Sequence, residues 1–266
     1  MAYARNKKNV NDKFYTKEGL AKSLIGKIDL SRYGLIIEPS AGSGAFSRNM
    51  QGNVLALDID PEGTGILKQD WLEYELPEGF AEDVIVIGNP PFGNQGALAL
   101  KFIKKSASLG AAAIAFILPK SFKKESVQNK VPSMYHLAME IDLDEASFEL
   151  EGKPYSVPCV FQVWERKSQE REIRTLKSTS ELFSFVKKAD AHDFAFRRVG
   201  FYAGRTYSDT HDKAEQSHYF IRSEVPAEDL ISAMASIEWE HNNTAGPRSI
   251  GKKELIERVE REIKRR

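Results

Sequence analysis

Four apolar runs divide the first half of the chain, and each ends abruptly in turn-forming residues. Residues 34–38 (Gly-Leu-Ile-Ile-Glu) run into a Pro/Ser/Gly cluster, and residues 53–57 run into Asp58-Ile59-Asp60-Pro61. Residues 83–87 close on Gly88-Asn89-Pro90-Pro91, and residues 111–118 on Pro119-Lys120-Ser121. Short continuous apolar runs bounded by turn residues predict strands buried on both faces of a parallel sheet. A shorter run at 65–67 adds a further strand. Residues 96–109 are alanine-rich with apolar positions at helical spacing, and Gly110 follows as a C-cap, so a helix joins the third and fourth runs. Strands alternating with helices imply an α/β fold, a doubly wound parallel sheet with right-handed crossovers.

After Pro132 the texture changes. Residues 137–143 and 157–164 read as neighbouring strands joined by 144–156, which predicts an antiparallel strand at the sheet edge. From about Lys167 the apolar runs shorten and charge rises. Strands at 194–207 and 217–222, a helix at 227–236 and a charged helix at 252–264 make a small α+β extension. The expected division is a catalytic domain over 1–168, with a basic arm at 1–13, and an extension over 169–266. That extension would serve nucleic-acid recognition, or contact with a protein partner or a second copy.

Composition narrows the class rather than the function. With 41% hydrophobic and 29% charged residues, the 266-residue chain has the balance of a soluble globular protein. No apolar run approaches the roughly 20 residues of a membrane span. The first residues, Met1 to Lys8, lack the apolar core of a secretory signal. Cys159 is the single cysteine, which excludes an internal disulfide and a cysteine-based zinc cluster. A cytoplasmic protein without membrane contact is expected. His192, His211, His218 and His241 show no metal-binding spacing, and no metal is expected. Net charge is zero, but residues 1–30 carry seven Lys/Arg against three Asp/Glu, while residues 31–170 carry thirteen against nineteen. Such an uneven distribution suits local contact with phosphate.

The unusual residues fall where the strands end, which is where open α/β sheets bind ligands. Gly42 and Gly44, in Glu38-Pro39-Ser40-Ala41-Gly42-Ser43-Gly44, let the backbone pass close beneath a ligand. The third glycine of the dinucleotide fingerprint is missing, which disfavours a nicotinamide or flavin. Asp58 ends the second strand, 20 residues after Glu38, where a carboxylate can take both hydroxyls of a ribose. Asp70 can accept an adenine amino group while Trp71 or Ile59 flanks the ring. In Asn89-Pro90-Pro91-Phe92 the prolines fix the backbone, so that one carbonyl and the Asn89 side chain offer two acceptors to a planar NH2 group. Holding both hydrogens frees the nitrogen lone pair to attack a sulfonium methyl, through orientation and electrostatics rather than base catalysis. Phe92 offers a ring on which a flat acceptor can stack.

With these residues in this order, the chain resembles the S-adenosylmethionine-dependent N6-adenine methyltransferases whose glycine loop precedes an Asn/Asp-Pro-Pro-Tyr/Phe tetrapeptide, over roughly residues 12–165. The resemblance implies a Rossmann-like class I methyltransferase sheet and S-adenosyl-L-methionine as cofactor. Its cofactor contacts would be Tyr15 and Thr16, with Thr16 capping the next helix, then Glu38, Ser40, Gly42, Gly44, Asp58, Ile59, Asp70, Trp71 and Asn89. Asn89, Pro90, Pro91 and Phe92 would form the catalytic tetrapeptide. A second aromatic on the other face of a flipped base would be Phe148 or Tyr155. The implied reaction is methylation of adenine N6 in nucleic acid, DNA favoured over RNA, in the manner of restriction-modification enzymes. A protein glutamine amide, also a planar CONH2, is an alternative acceptor, and an inactive scaffold subunit is a reading of another class. Phosphates beside the target would meet Lys120, Lys123 and Lys124, with Lys130 nearby, or the segment Arg197-Arg198-Val199-Gly200-Phe201-Tyr202-Ala203-Gly204-Arg205, which reads equally as a plain surface hairpin.

Overall fold

All four apolar runs form parallel strands of one sheet, because each is apolar on both faces and can be satisfied only between covering layers. In a computed structural model of the protein, residues 15–76, 83–143, 148–150, 153–155, 158–173, 175–239 and 248–266 are described. The chain divides into two compact units, Met1–Ile173 and Arg174–Arg266.

In the first unit the strands β1 (Tyr15–Thr16), β2 (Leu35–Glu38), β3 (Val54–Asp58), β4 (Leu67–Lys68), β5 (Val84–Gly88), β6 (Ala113–Pro119), β7 (Tyr135–Asp142), β8 (Phe148–Leu150), β9 (Lys153–Tyr155) and β10 (Cys159–Arg166) follow one another. Seven of them form a sheet in the order β4-β3-β2-β5-β6-β10-β7. Pairing is parallel from β4 to β6, with Ile37 opposite Leu55 on one side and Val86 on the other. β10 runs antiparallel to both neighbours, placing Phe161 opposite Ile117 and Ile141. This is the expected doubly wound α/β arrangement, with one reversed strand. The reversed strand is inserted next to the edge, and β7 is outermost. Every residue of β5 and β6 is buried, as strands flanked on both faces require.

Helices α1 (Glu18–Ile25), α2 (Ala97–Ser108) and α3 (Glu125–Gln128) belong to this unit. α2 buries Ala99, Phe102 and Ile103, the stripe its helical spacing predicts. Three local details differ from the sequence reading. Lys17, not Thr16, is the N-cap of α1 and makes no side-chain cap bond, because Thr16 is held in β1 opposite Phe148. The short strand beside β3 is Leu67–Lys68 rather than 65–67, since Gly65 has a φ of 78°. The segment 194–207 is not one strand but β12 (Phe194–Arg197) and β13 (Thr206–Tyr207), folded back on each other.

Those two strands belong to the second unit, with β11 (Phe183–Val186) and β14 (His218–Ser223), in an antiparallel sheet of order β11-β14-β12-β13. Helices α4 (Ala227–Ser236) and α5 (Lys252–Arg265) complete it. Phe194, Phe196, Ile221, Leu230, Met234, Trp239, Leu255 and Val259 form a separate core. A unit with its own apolar cluster has what independent folding needs.

Candidate active site

A cavity of about 250 Å3 opens at the carboxyl ends of β2, β3 and β5. β2 and β5 are neighbours from which the chain departs in opposite directions along the sheet, the switch point at which such folds hold ligands. Its wall brings together Tyr15, Thr16, Glu38, Ser40, Gly42, Asp58, Ile59, Asp70, Trp71, Asn89 and Pro91. These come from a stretch of 77 residues in the 266-residue chain and meet only through the sheet.

The glycine loop is tied to the neighbouring strand by a short ladder of bonds. Ala41 N–H donates to the Leu57 carbonyl at 2.9 Å, and Gly42 N–H donates to Asp58 Oδ2 at 2.7 Å. Asp58 Oδ1 accepts the Asp60 N–H at 2.8 Å. Asp58 is thereby fixed before any ligand arrives, and each oxygen keeps a second lone pair for an incoming hydroxyl. Gly42 takes a φ of 53°, which lets its N–H face Asp58 without strain. Gly44 is not on the wall. Its φ of 88° turns the chain, and a Cβ there would lie 3.0 Å from Ser47 Oγ.

Glu38 is 2% exposed, and its Oε2 accepts the Ser47 N–H at 2.8 Å. Burial pushes its carboxyl up to about 7, and the nearby Asp58 charge adds to the effect, against hydrogen bonds from Ser47 and Phe46 that pull it down. A cation entering the cavity would favour the ionised form. Asp70 begins a 3-10 turn, its Oδ1 accepting the Leu72 N–H at 2.8 Å. Trp71 is 1% exposed and stacks on Tyr74 at 5.7 Å, and its buried Nε1 has no acceptor among the described residues. Ile59 lies on the same wall and is 58% exposed.

The tetrapeptide divides in two. Asn89 and Pro91 line the cavity, while Phe92 is 6% exposed and packs in the core. The Phe92 carbonyl accepts the N–H groups of Leu98 at 3.0 Å and Ala99 at 3.3 Å, closing the first turn of α2. Ser40 Oγ donates to the Asn89 carbonyl at 3.1 Å, joining the glycine loop to the tetrapeptide across the switch point. Sequence reasoning missed Glu62, which lines the cavity and accepts the Tyr15 hydroxyl at 2.7 Å on Oε1. It also missed Leu98 and Phe102 of α2, whose periodicity marked them only as core.

Other residues lie apart from the cavity. Lys123 Nζ sits 3.0 Å from Asp142 and 3.7 Å from Glu140, and Lys120 Nζ sits 3.8 Å from Asp142. Lys124 is the N-cap of α3. Phe148 and Tyr155 face each other across the β8–β9 hairpin, which pairs onto β1, but their side chains lie outside the described residues. The arm at 1–13 lies outside them as well. In the second unit, Arg197 donates to the Val199 carbonyl and to Ser217 Oγ, and Arg198 lies 5.2 Å over the Tyr219 ring. Among the described residues there is no cluster of three metal-binding side chains, and no helix is long and apolar enough to cross a membrane.

No family model matches the sequence, and no curated protein is detectably similar to it. Several solved structures are distantly similar to it. A protein of Pyrococcus horikoshii, provisionally assigned as an RNA methyltransferase, is 17% identical over 61% of this chain and 90% of its own, with a TM-score of 0.46. The 23S rRNA methyltransferase ErmE is 14% identical over 59% of this chain and 71% of its own, at 0.44. A modification subunit provisionally assigned to a type I restriction enzyme of Vibrio vulnificus is 11% identical over 91% of this chain and 59% of its own, at 0.43.

Proposed function

We propose that the protein transfers a methyl group from S-adenosyl-L-methionine to the exocyclic N6 of adenine in nucleic acid, with DNA favoured over RNA. The observation that carries this reading is the convergence of Glu38, Asp58, Asp70 and Asn89 on one cavity. Three features fit an adenosyl cofactor. Asp58 is held by two backbone amides with lone pairs left for ribose hydroxyls. Asp70 keeps one oxygen beyond its bond to Leu72, and Ile59 offers an exposed apolar surface to a ring. Trp71 Nε1 is a buried donor on the cavity wall with no acceptor among the described residues.

The cofactor would supply an electrophilic sulfonium methyl, and the chain supplies orientation. Asn89 and a tetrapeptide carbonyl would hold the two hydrogens of the acceptor NH2, aiming its lone pair. The Asn89 carbonyl is engaged by Ser40 and that of Phe92 by Leu98 and Ala99, which leaves those of Pro90 and Pro91 for the acceptor. Glu38, ionised beside a bound cation, would offset the sulfonium or ammonium charge. Phe92 anchors the tetrapeptide from the core side, and base stacking falls to Phe148 or Tyr155. Adenine N6 lies within the duplex stack, so the target is flipped out or unpaired. Lys120, Lys123 and Lys124 would hold flanking phosphates, the first two exchanging Asp142 and Glu140 for them.

Asn89→Ala is the direct test of the site. Methyl transfer should fall by at least about a hundred-fold, a loss of ~2.7 kcal/mol or more, while calorimetry shows cofactor affinity within a few-fold of the parent. Parallel loss of cofactor affinity would remove Asn89 from the acceptor side.

A further inference from the structure

We propose that the loop between β12 and β13 binds single-stranded nucleic acid through Phe201, Tyr202, Arg205 and Arg248, resting on the nucleic-acid reading above. Phe201 is 77% exposed and Tyr202 49%. A solvent-facing phenylalanine normally turns inward, since burying such a ring is among the larger favourable terms available to a side chain. Here the loop prevents it. Gly204 N–H donates to the Arg197 carbonyl at 2.8 Å and Ala203 N–H to the Gly200 carbonyl at 3.0 Å. Gly204 has a φ of 102°, and a Cβ on it would collide with the Trp239 ring. The tip is thus pinned to the core beneath while its two rings point away, 5.1 Å apart and at 85° to each other.

Two cations stand against these rings. The Arg205 guanidinium lies 4.5 Å from the Tyr202 centroid, and that of Arg248 lies 5.5 Å from Phe201. Arg248 comes from a distant stretch of chain, placed by the bridge between Val199 and Ser249 and by Gly200 N–H donating to the Arg248 carbonyl at 2.9 Å. Neither arginine joins an ion pair among the described residues. Each ring therefore has a guanidinium beside it whose charge is not matched by a carboxylate.

Rings beside uncompensated cations suit one ligand chemistry above others. A base stacks on the open ring face while the adjoining phosphate meets the guanidinium. An apolar protein surface would have to bury both charges unpaired, which opposes association. The neighbouring Arg197 and Arg198, which the sequence put forward for this role, are turned toward Val199, Ser217 and Tyr219. Arg248 instead donates to the Phe201 carbonyl at 3.3 Å, which holds it at the tip of the loop, and Arg205 is exposed. The functional pair of cations is shifted to Arg205 and Arg248. The patch would grip a strand with little regard for sequence.

Fluorescence anisotropy of the full chain with a labelled twenty-nucleotide oligothymidylate, and with an abasic oligomer of equal length, tests this. Replacing Phe201 and Tyr202 together by Leu should weaken binding to the base-bearing strand by about ten-fold or more and leave the abasic strand nearly unaffected. Replacing Arg205 and Arg248 together by Gln should weaken both strands alike and flatten the salt dependence by about two phosphate contacts. Thermal melting at the parent temperature establishes that each variant is folded. If the parent binds no DNA or RNA at all, the nucleic-acid reading itself is wrong and this site falls with it. If the parent binds and both double variants bind equally well with the same salt slope, this loop alone is refuted. A loss of self-association in the aromatic variant with nucleic-acid affinity intact would likewise refute it, and make the loop a contact between copies.

Discussion

At Asp58 one carboxylate is asked to do two things. It fixes the glycine loop through Gly42 and Asp60, and it presents lone pairs to the cavity. Asp58→Asn keeps the shape but removes the charge and one acceptor. Cofactor affinity should fall by about 1.5–3 kcal/mol, read by calorimetry, and an unchanged dissociation constant would remove the ribose assignment. Glu38 makes a different kind of expectation. Its folded value is about 7 against 4.5 in the unfolded chain. Between those values the folded state holds a proton that the unfolded state has released, so stability falls as pH rises through that window. The fall should total about 3 kcal/mol, and Glu38→Gln should flatten it. Urea midpoints measured from pH 4.5 to 8 decide the matter, and identical profiles for both proteins would show that Glu38 is not held protonated.

Elements carry the division of labour within the tetrapeptide. A stacking platform and a buried anchor make opposite demands on Phe92, and burial at 6% exposure favours the anchor. Phe92→Ala should cost about 3–5 kcal/mol of stability, as large-to-small changes in packed cores do. A full loss of turnover with unchanged denaturation midpoint would instead return Phe92 to the acceptor face. This distinction was not legible in the sequence, where Phe92 follows two prolines in a loop and nothing marks which way the ring turns. The strands were legible, because β2, β3, β5 and β6 are continuous apolar runs closed by turn residues. The glycine loop, Asp58 and Asn89 were legible for the same reason, since strand ends fix where they must lie. The Tyr15–Glu62 contact was not, because it joins residues 47 positions apart on exposed segments without periodicity. The β12–β13 hairpin was legible as one of two readings of 197–205, because Gly200 and Gly204, with φ of 91° and 102°, supply the conformations that fold a strand back on itself.

At the scale of the whole molecule, the lysine rim of the first unit is balanced locally before any partner arrives. Lys120 and Lys123 face Asp142 and Glu140 on β7, so this rim does not carry the bare positive field that a run of lysines suggests. Exposed pairs of this kind are weak and exchange readily for phosphate. Asp142→Asn should therefore strengthen nucleic-acid binding several-fold and steepen its salt dependence by about one contact. No change in slope would place the strand elsewhere, toward the second unit.

The reaction itself is settled most directly by digesting mixed DNA and RNA to nucleosides after incubation with the purified protein and isotopically labelled S-adenosylmethionine, then reading them by mass spectrometry. The expected product is labelled N6-methyladenine nucleoside, the deoxy form above the ribo form, and absent when Asn89→Ala replaces the parent. Label on another base or another position, or on protein glutamine with none on adenine, would contradict the assignment of this cavity to adenine N6.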